Sequence, residues 1–443
     1  MPAYSSGSAP VLGRTAMRTR GYDLILVAEL PETLRVALLT YRGNPRSGGQ
    51  GVYVRNLSRS MAALGHRVEV LSGQPYPDLD AEADVPLTRL PSLDLYRPDA
   101  PFKPDREVRD AIDLLEFITM CSGGFPEPLT FSLRAWRELR RRRAEFDVVH
   151  DNQCLGYGLL GLRGIGLPVL ATVHHPIRID RRLELAEATG MRRVALRRWY
   201  AFTRMQARVA RRLPRLLTVS EAARDLIVKE MRVRSGRIAV VPNGVDAHLF
   251  RPHPEHPRKP GRIVATASAD VPLKGLGPLL RAFAQVRARR PAELVVVGKP
   301  RPNGPTPRLL AELHLDGSVR FVNGLADAEL VSLYAEAEAA VVPSLYEGFS
   351  LPAVEAMACG LPLVATTAGA LPEVVGADHE AALLVPPGDA DALARAIATL
   401  LADGPLRRRL GDRGRSRVLE RFTWEAAARG TAERYREVMA SGC

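Results

Sequence analysis

Cysteine is scarce in this sequence, and its placement argues against two kinds of site. The four cysteines are Cys121, Cys154, Cys359 and Cys443, and no two of them form a Cys-x-x-Cys pair. Structural zinc sites and disulfide frameworks usually depend on closely spaced or paired cysteines. We therefore expect neither, and this sparse usage fits a reducing cytoplasm.

Long apolar runs are also missing. A membrane-spanning helix needs about 18 or more consecutive apolar residues, and the longest candidate, residues 24–41, is broken by Glu29, Pro31, Glu32 and Arg35. The first twenty residues contain no continuous apolar stretch like that of a secretory signal. We expect a cytoplasmic protein that has, at most, a peripheral contact with the inner face of the membrane.

Acidic residues fail to balance basic ones, but only in the first part of the chain. The formal net charge is +13. Residues 261–443 contain 21 basic and 21 acidic side chains, so the whole excess lies in residues 1–260. Any anionic surface or ligand is therefore expected to meet this first part of the chain.

The 443 residues are too many for one ordinary core, and they divide into two similar patterns. Short apolar runs alternate with stretches of helical spacing from Arg35, and again after the proline-rich stretch 251–262. This alternation is typical of parallel sheets with helices on both faces. We therefore predict an α/β fold with an extension over 1–34, a first domain over 35–255, a second domain over 256–422, and a last helix within 423–443 that could cross back to the first domain.

One stretch of the first domain departs from this pattern. Proline occurs nine times between Gln74 and Glu145, which predicts long loops and short helices. The stretch forms either part of an acceptor site or an irregular surface excursion, and the sequence leaves both interpretations open.

The segment 344–367, SLYEGFSLPAVEAMACGLPLVATT, carries the clearest chemical signal. A strand ends near Pro343, and Ser350 followed by Pro352 favours a helix start. Glu347 then lies at the carboxyl end of a strand, and Glu355 lies in the first turns of the helix. Ligands of open α/β sheets bind at this edge, and the N–H groups of a helix start favour a phosphate. Because carboxylates also accept hydrogen bonds from hydroxyls, the arrangement suits a nucleotide sugar.

A glycine cluster follows the first predicted strand and precedes a helical stretch from Val52 to Leu64. Gly48, Gly49 and Gly51 allow backbone N–H groups to approach a diphosphate at the helix N-terminus. The Gly-x-Gly-x-x-Gly spacing of a nicotinamide-binding fold is not met, because Val54 stands at the third position.

These motifs resemble those of glycosyltransferase family 4, over nearly the whole chain from Arg35. The family has the GT-B fold, in which two Rossmann-like domains face a deep cleft. The resemblance implies retaining transfer of a hexose from a nucleotide-diphosphate sugar to a hydroxyl of a glycolipid or glycan precursor. It implies no metal or other cofactor.

The resemblance also assigns roles to residues. Glu347 would lie by the transferred sugar and Glu355 by the donor ribose, while His174, in TVHHPI, matches a histidine near the reacting sugar. The role of the adjacent His175 is open, and His150 is a second-line candidate. Together with Glu347 and His174, Lys274 is expected to be catalytic. The donor-binding residues expected are Gly48, Gly49, Gly51, Asn243, Gly244, Lys274, Gly298, Lys299, Val322, Phe349, Ser350, Leu351 and Glu355.

One position departs from the family pattern. Lys274 aligns with the phosphate-binding lysine, but Ala269 stands where an arginine is usual. Negative charge grows on the diphosphate as it departs, so cations are needed there. Either Lys299 or Arg301 compensates, or Lys274 and the helix N-termini carry this load alone.

Residues 191–215 contain nine arginines and no acidic residue. Apolar residues repeat through them at helical spacing. Such a helix either lies on an anionic membrane that presents a lipid-linked acceptor, or buries its apolar stripe and leaves its arginines in solvent. No nucleic-acid recognition module accompanies it, so we expect no nucleic-acid partner.

Two other functions stay open from the sequence. A GT-B nucleotide-sugar epimerase shares the architecture but lacks the sequence context of Glu347 and Glu355. A catalytically degenerate relative that binds a nucleotide or a membrane surface is supported only by Ala269. Assays of donor hydrolysis and transfer separate these alternatives.

Overall fold

The computed structural model describes residues 31–44, 49–96, 102–267 and 271–441. Two parallel sheets carry the fold, within one compact unit that starts at Thr33. The first sheet has the strand order β3-β2-β1-β4-β5-β6-β7, and its strands are β1 (Arg35–Thr40), β2 (Arg67–Ser72), β3 (Leu87–Arg89), β4 (Val148–Asn152), β5 (Val169–Thr172), β6 (Leu216–Thr218) and β7 (Ile238–Val240). The second has the order β10-β9-β8-β11-β12-β13, and its strands are β8 (Arg262–Thr266), β9 (Glu293–Val297), β10 (Val319–Val322), β11 (Ala339–Val342), β12 (Leu363–Thr366) and β13 (Ala382–Val385).

Helices connect the strands of each sheet. Those of the first part of the chain are α1 (Gln50–Ala63), α2 (Ala111–Cys121), α3 (Glu127–Leu139), α4 (Gly158–Gly164), α5 (Arg178–Glu187), α6 (Gly190–Trp199), α7 (Phe202–Ala210) and α8 (Glu221–Met231). Those of the second part are α9 (Leu276–Arg287), α10 (Pro305–Glu312), α11 (Asp327–Glu336), α12 (Leu351–Ala358), α13 (Leu371–Val375), α14 (Ala390–Ala402), α15 (Gly404–Arg421) and α16 (Trp424–Ala440). The predicted α/β fold with two Rossmann-like, parallel-sheet domains is confirmed.

The central strands are mostly apolar because both faces of each sheet are covered, but β4, VVHDN, ends in three buried polar residues. In β1, Val36 and Leu38 point into one apolar cluster, whereas Ala37 and Leu39 point into the cluster on the opposite face. Two further clusters cover the second sheet in the same way. Polar side chains are therefore displaced to the ends of these strands, where the site lies.

The strand order places two crevices at the carboxyl edges of the sheets. Sequence order reverses between β1 and β4 in the first sheet and between β8 and β11 in the second. In open α/β sheets, ligands bind at such reversal points. Asn152 ends β4, and Gly49, Lys274 and Glu347 follow β1, β8 and β11 at these edges.

The last helix, α16, packs against α1 and the first sheet rather than against the second. Trp424 and Tyr435 belong to the same buried cluster as Val36 and Leu38. The Tyr435 hydroxyl lies 2.7 Å from Nδ1 of His150, and Nε2 of His150 lies 2.7 Å from the Thr172 hydroxyl. Because both its ring nitrogens are bonded inside the core, His150, the second-line site candidate, has a structural role.

The basic segment 191–215 forms two helices instead of one amphipathic helix. In α7, Met205 and Val209 are buried in the core of the first domain. In α6 no residue is buried, and Met191 is 81% exposed. The apolar stripe is therefore buried in α7 but not in α6. No helix within the described ranges is long and apolar enough to cross a membrane.

The proline-rich stretch between the second strand and the fourth is organised around buried charges. One NH2 group of Arg134 lies 2.7 Å from a carboxylate oxygen of Asp113 and 2.5 Å from one of Glu116. All three side chains are almost fully buried. Removing either carboxylate would leave a buried guanidinium short of partners, so this ion-pair network holds α2 against α3.

Candidate active site

A cavity of about 390 Å³ lies between the two domains, at the carboxyl edges of both sheets. The first domain contributes segments after β1, β4, β5, β6 and β7, and the second contributes loops after β8 and β11. Residues expected from the sequence line it from both sides, namely Gly49, His174, Asn243, Lys274, Glu347, Phe349, Ser350 and Leu351. The structure thus brings these eight residues together around one space.

The carboxylate of Glu347 is fixed on the second-domain side of this cavity. The Lys274 ammonium donates to its Oε1 at 2.9 Å, and the Ser344 hydroxyl donates to the same atom at 2.7 Å. Behind it, Gly369 has φ +57°, and a Cβ there would lie 2.1 Å from the Glu347 carbonyl oxygen. Only glycine fits this approach, so the loop holds a buried carboxylate and a cation together at the cavity wall.

The start of α12 differs from the sequence expectation. Ser350 occupies the N-cap position, but its hydroxyl makes no capping hydrogen bond. A capping serine needs an extended backbone, whereas Ser350 is left-handed, with φ +84°. The predicted side-chain cap is therefore wrong. The first N–H groups of α12 consequently lack this cap at the edge of the cavity, where the helix N-terminus favours an anion.

Four buried polar atoms around the cavity have no hydrogen-bond partner among the described residues. They are Oε1 of Gln50, Oδ1 of Asn243, the hydroxyl of Tyr346 and the hydroxyl of Ser350, and all four residues line the cavity. A buried polar atom without a partner costs about 1–3 kcal/mol. Such a cluster is expected where a polar ligand supplies the missing hydrogen bonds, which agrees with a sugar and a phosphate.

On the first-domain side, the protonation of His174 is determined by its neighbours. Burial lowers the pKa of His174 to about 4, so the ring is neutral near pH 7. Its Nε2 lies 2.8 Å from Oδ1 of Asn152. The amide nitrogen of Asn152 faces two acceptors at 3.4 Å, the Gln50 carbonyl and the Thr40 hydroxyl. The latter can only accept, because it donates its own proton to the Arg42 carbonyl.

This arrangement assigns the tautomer of His174. Since the Asn152 nitrogen faces acceptors, its oxygen faces His174, and Nε2 carries the proton. The single N–H of the neutral ring is thus already used, and Nδ1 is left as a hydrogen-bond acceptor. In this tautomer the ring can only accept a hydrogen bond from a ligand hydroxyl, at Nδ1.

Sequence reasoning missed both residues that support His174. Gln153 is left-handed, with φ +60°, and its Oε1 accepts from the backbone N–H of His174 at 2.6 Å and of His175 at 3.1 Å. Its Nε2 donates to the His175 carbonyl at 3.1 Å. The signal was present as the polar run after DVVH, because Asn152 and Gln153 follow a buried strand at a reversal point.

Six other expected residues do not line the cavity within the described part of the chain. Two of these are packing glycines, since a Cβ on Gly51 would lie 2.1 Å from the Asn44 carbonyl and one on Gly244 would lie 2.2 Å from the Trp424 nitrogen. The others lie at the ends of β9 and β10 or within α12, namely Gly298, Lys299, Val322 and Glu355. Gly48 and Ala269 fall outside the described residues.

Glu355 lies one turn into α12, behind the cavity. The Tyr334 hydroxyl donates to its Oε2 at 3.2 Å. Burial raises the pKa of Glu355 to about 7 despite this hydrogen bond. Glu355 is therefore half-ionised near neutral pH, which makes any ligand contact it provides dependent on pH.

We predict that nucleotide affinity follows this ionisation. A carboxylate accepts two hydrogen bonds from a ribose diol, and protonation removes acceptor capacity. The affinity for a nucleoside diphosphate should therefore increase as the pH rises through about 7, the pKa of Glu355. Calorimetric titration between pH 6 and 8 measures this change. Ionisation of the phosphate also changes the affinity with pH, but it does so equally in the wild type and in Glu355→Gln. The prediction is contradicted if affinity depends on pH with the same slope in both proteins.

The two domains contact each other directly beside the cavity. The Ser220 hydroxyl at the start of α8 donates to the Gly348 carbonyl at 2.6 Å. The Glu373 carboxylate of α13 accepts from the N–H groups of Glu221 and Ala222 at 2.8 and 2.7 Å. These bonds hold the loop that carries Glu347 against the domain that carries His174.

Comparisons with known proteins cover both domains of the chain. Residues 47–249 match the model of Glycosyltransferase Family 4, and residues 251–417 match that of Glycosyl transferases group 1. The chain is 54% identical over 409 residues to MMP α-(1→4)-mannosyltransferase of Mycolicibacterium hassiacum, covering 92% of this chain and 99% of that protein. It is 29% identical to D-inositol 3-phosphate glycosyltransferase of Stackebrandtia nassauensis, covering 94% of each.

The fold is shared with a solved enzyme of the same architecture. Sucrose-phosphate synthase from Thermosynechococcus elongatus superposes with a TM-score of 0.70 at 26% identity, covering 92% of this chain and 100% of that one. The match extends over both domains. The chain therefore belongs to glycosyltransferase family 4, enzymes of the GT-B fold that transfer a sugar from a nucleotide-sugar donor.

Proposed function

We propose that this enzyme transfers mannose from a nucleotide-diphosphate donor to the 4-hydroxyl of a sugar in a glycan or glycolipid, forming an α linkage. The similarity to an α-(1→4)-mannosyltransferase, over 99% of that protein, supports the sugar and the linkage. The single structural observation that carries the transfer is the cavity in which the Lys274–Glu347 pair and His174 come from opposite domains.

We propose that the transfer retains the anomeric configuration. The acceptor hydroxyl attacks C1 of the donor sugar from the side of the departing diphosphate. As the C1–O bond to phosphate breaks, the bond to the acceptor oxygen forms, and the hydroxyl proton passes to a phosphate oxygen. Glu347 and the Nδ1 of His174 position the sugar, whereas Lys274 stabilises the charge on the diphosphate.

The catalytic transfer is proposed to need no metal. Lys274 lies at the cavity beside the N-terminal turn of α12, and Gly49 brings the N-terminus of α1 to the opposite wall. A cation and two helix N-termini provide the stabilisation that a metal ion gives in other transferases. Lys299 is exposed after β9, so Lys274 is the cation we assign to the diphosphate.

A donor and acceptor panel tests the proposed function. Purified enzyme is assayed with mannose and glucose donors carrying GDP, UDP or ADP, and with short α-(1→4)-mannosides as acceptors. We expect release of the nucleotide with a mannose donor, an α-linked product in the NMR spectrum, and no loss of rate in EDTA. Transfer from glucose donors alone would refute mannose as the transferred sugar. A loss of rate in EDTA would refute metal independence.

We also propose that α6 contacts an anionic membrane that presents a lipid-linked acceptor. Met191 and Val194 of α6 are exposed, as are Leu114 and Ile118 of α2. The two helices adjoin, because Nε of Arg198 donates to the carbonyl of Ser122, the residue that ends α2, at 2.7 Å. Exposed apolar residues on a helix that carries four arginines and no acidic residue favour an anionic interface.

Vesicle co-sedimentation tests this contact. The enzyme should sediment with vesicles rich in an anionic phospholipid at low salt, and less so at high salt. Met191→Glu together with Val194→Glu should abolish sedimentation without changing transfer to a water-soluble acceptor. A protein that stays in the supernatant with anionic vesicles at low salt would rule out the contact.

A further inference from the structure

Three potential metal ligands lie together in the segment that joins the two domains. His253, Glu255 and His256 offer ligand atoms that all lie within 4.8 Å of one another. Nδ1 of His253 is 2.6 Å from Oε1 of Glu255, and the two imidazole rings have centroids 5.9 Å apart. Of the residues the structure describes, these three form the one such group. They do not line the catalytic cavity.

The backbone of this segment holds the three side chains close together before any ion binds. A turn brings His256 back to His253, since the His256 N–H donates to the His253 carbonyl at 3.0 Å. Prolines stand at 252, 254 and 257, beside each histidine. Proline restricts the backbone also in the unfolded chain, so little conformational entropy remains to be lost on ligation.

The two basic residues that follow the group, Arg258 and Lys259, do not pair with the carboxylate of Glu255. The Arg258 guanidinium donates to the Gly360 carbonyl at 3.0 Å, and the Lys259 ammonium pairs with Glu336 at 2.9 Å. Both side chains therefore point to the second domain. Glu255 has His253 as its ion-pair partner, and a divalent ion can replace that contact with two bonds, one to each residue.

We propose that His253, Glu255 and His256 form a binding site for Zn²⁺ or a similar divalent transition metal. Two imidazole nitrogens and one carboxylate oxygen are a ligand set that this ion class favours, with water completing the coordination. The site is separate from the transfer chemistry. It would close the turn at residues 253–256, a few residues after the boundary between the two family matches, 47–249 and 251–417.

The expected consequence is a stiffer connection between the domains. The second domain already holds both sides of this segment. Upstream, Arg415 donates to the carbonyls of Ala247 and Phe250, and downstream the Lys259 N–H donates to the Glu336 carbonyl at 2.8 Å. A metal ion bound at residues 253–256 would also fix the part of the segment between these two anchored ends. Because it binds the folded turn and not the unfolded chain, it should raise the melting temperature.

Titration of the chelator-treated, full-length enzyme with ZnCl₂ tests this site. Calorimetry should show one site in the micromolar range or tighter, and zinc should raise the melting temperature. His256→Ala, at an exposed position, should weaken binding by at least about tenfold and remove the thermal shift. His248→Ala is the matched control, because it removes an exposed histidine outside the group and should change neither measurement.

The transfer reaction separates this inference from the proposed function. Transfer by His256→Ala should equal that of the wild type, with or without EDTA. The inference is overturned if the wild type shows no stoichiometric binding, or if His256→Ala binds zinc as tightly as the wild type. Neither result bears on mannose transfer, which the donor panel decides.

Discussion

Replacing Glu347 by glutamine is expected to reduce kcat by about a thousandfold, the order of magnitude for losing one preorganised electrostatic group. Positive charge develops on the sugar as the diphosphate leaves, and an amide cannot stabilise it as a carboxylate does. The carboxylate is held in place by Lys274 and Ser344. Affinity for the nucleoside diphosphate should not fall, since the freed Lys274 ammonium becomes fully available to the phosphates. Rapid-quench kinetics and calorimetry measure the two quantities.

The control for this substitution is Glu425→Gln. Glu425 is an exposed glutamate of α16 that pairs with Arg429 at 2.5 Å, so its change should leave both kcat and nucleotide binding unaltered. If Glu347→Gln loses nucleotide binding along with transfer, then Glu347 shapes the loop and does not act on the sugar.

Replacing Asn152 by leucine is expected to lower kcat by roughly 10- to 100-fold, the range seen when a residue that orients an active-site ligand is removed. Oδ1 of Asn152 accepts the Nε2 proton of His174 at 2.8 Å, and a leucine side chain cannot accept it. The imidazole can then also adopt the tautomer with its proton on Nδ1, and its orientation is no longer fixed. The KM for the nucleotide sugar should change less than kcat, because the phosphate contacts of the second domain remain.

A spectroscopic measurement distinguishes this positioning role from simple destabilisation. The ¹⁵N shifts of His174 should report a proton on Nε2 in the wild type and a mixture of tautomers in Asn152→Leu. Asn56→Leu is the matched control, because Asn56 is also buried but bonds within α1, to the Val52 carbonyl at 2.9 Å. A wild-type protein with its proton on Nδ1 would invalidate the assignment.

The sequence predicted the strands and loops well because their signals are local. The apolar runs around Val36, Val70 and Val341 became strands, and the turn before Glu347 became a loop at the carboxyl edge. One strand, β3, was missed, since its three residues are only partly buried. The continuous helix expected over 191–215 is interrupted near Tyr200. The apolar residues after this break are buried in the core, whereas those before it are not.

Features that depend on distant contacts could not be predicted. The tautomer of His174 depends on Asn152, whose amide is oriented by Thr40, 112 residues away in the sequence. The left-handed conformation of Ser350 is likewise not encoded by its neighbours, which favour an ordinary cap. By contrast, the His253, Glu255 and His256 group lies within four residues, so its proximity could have been predicted from the sequence. The prolines around it drew attention only to the break between the two domain patterns.

The position of α16 constrains how the chain acquires its structure during translation. The ribosome synthesises the first domain before the second, but the core of the first domain includes Trp424 and Tyr435 of α16. In the nascent first domain α1 alone covers part of the apolar face around Val36 and Leu38, and the rest of this face stays exposed until nearly the whole polypeptide has left the exit tunnel. The domain that is synthesised first is therefore completed last. A chain that terminates before α16 leaves part of the apolar face of the first domain exposed, and chaperones and proteases recognise such surfaces.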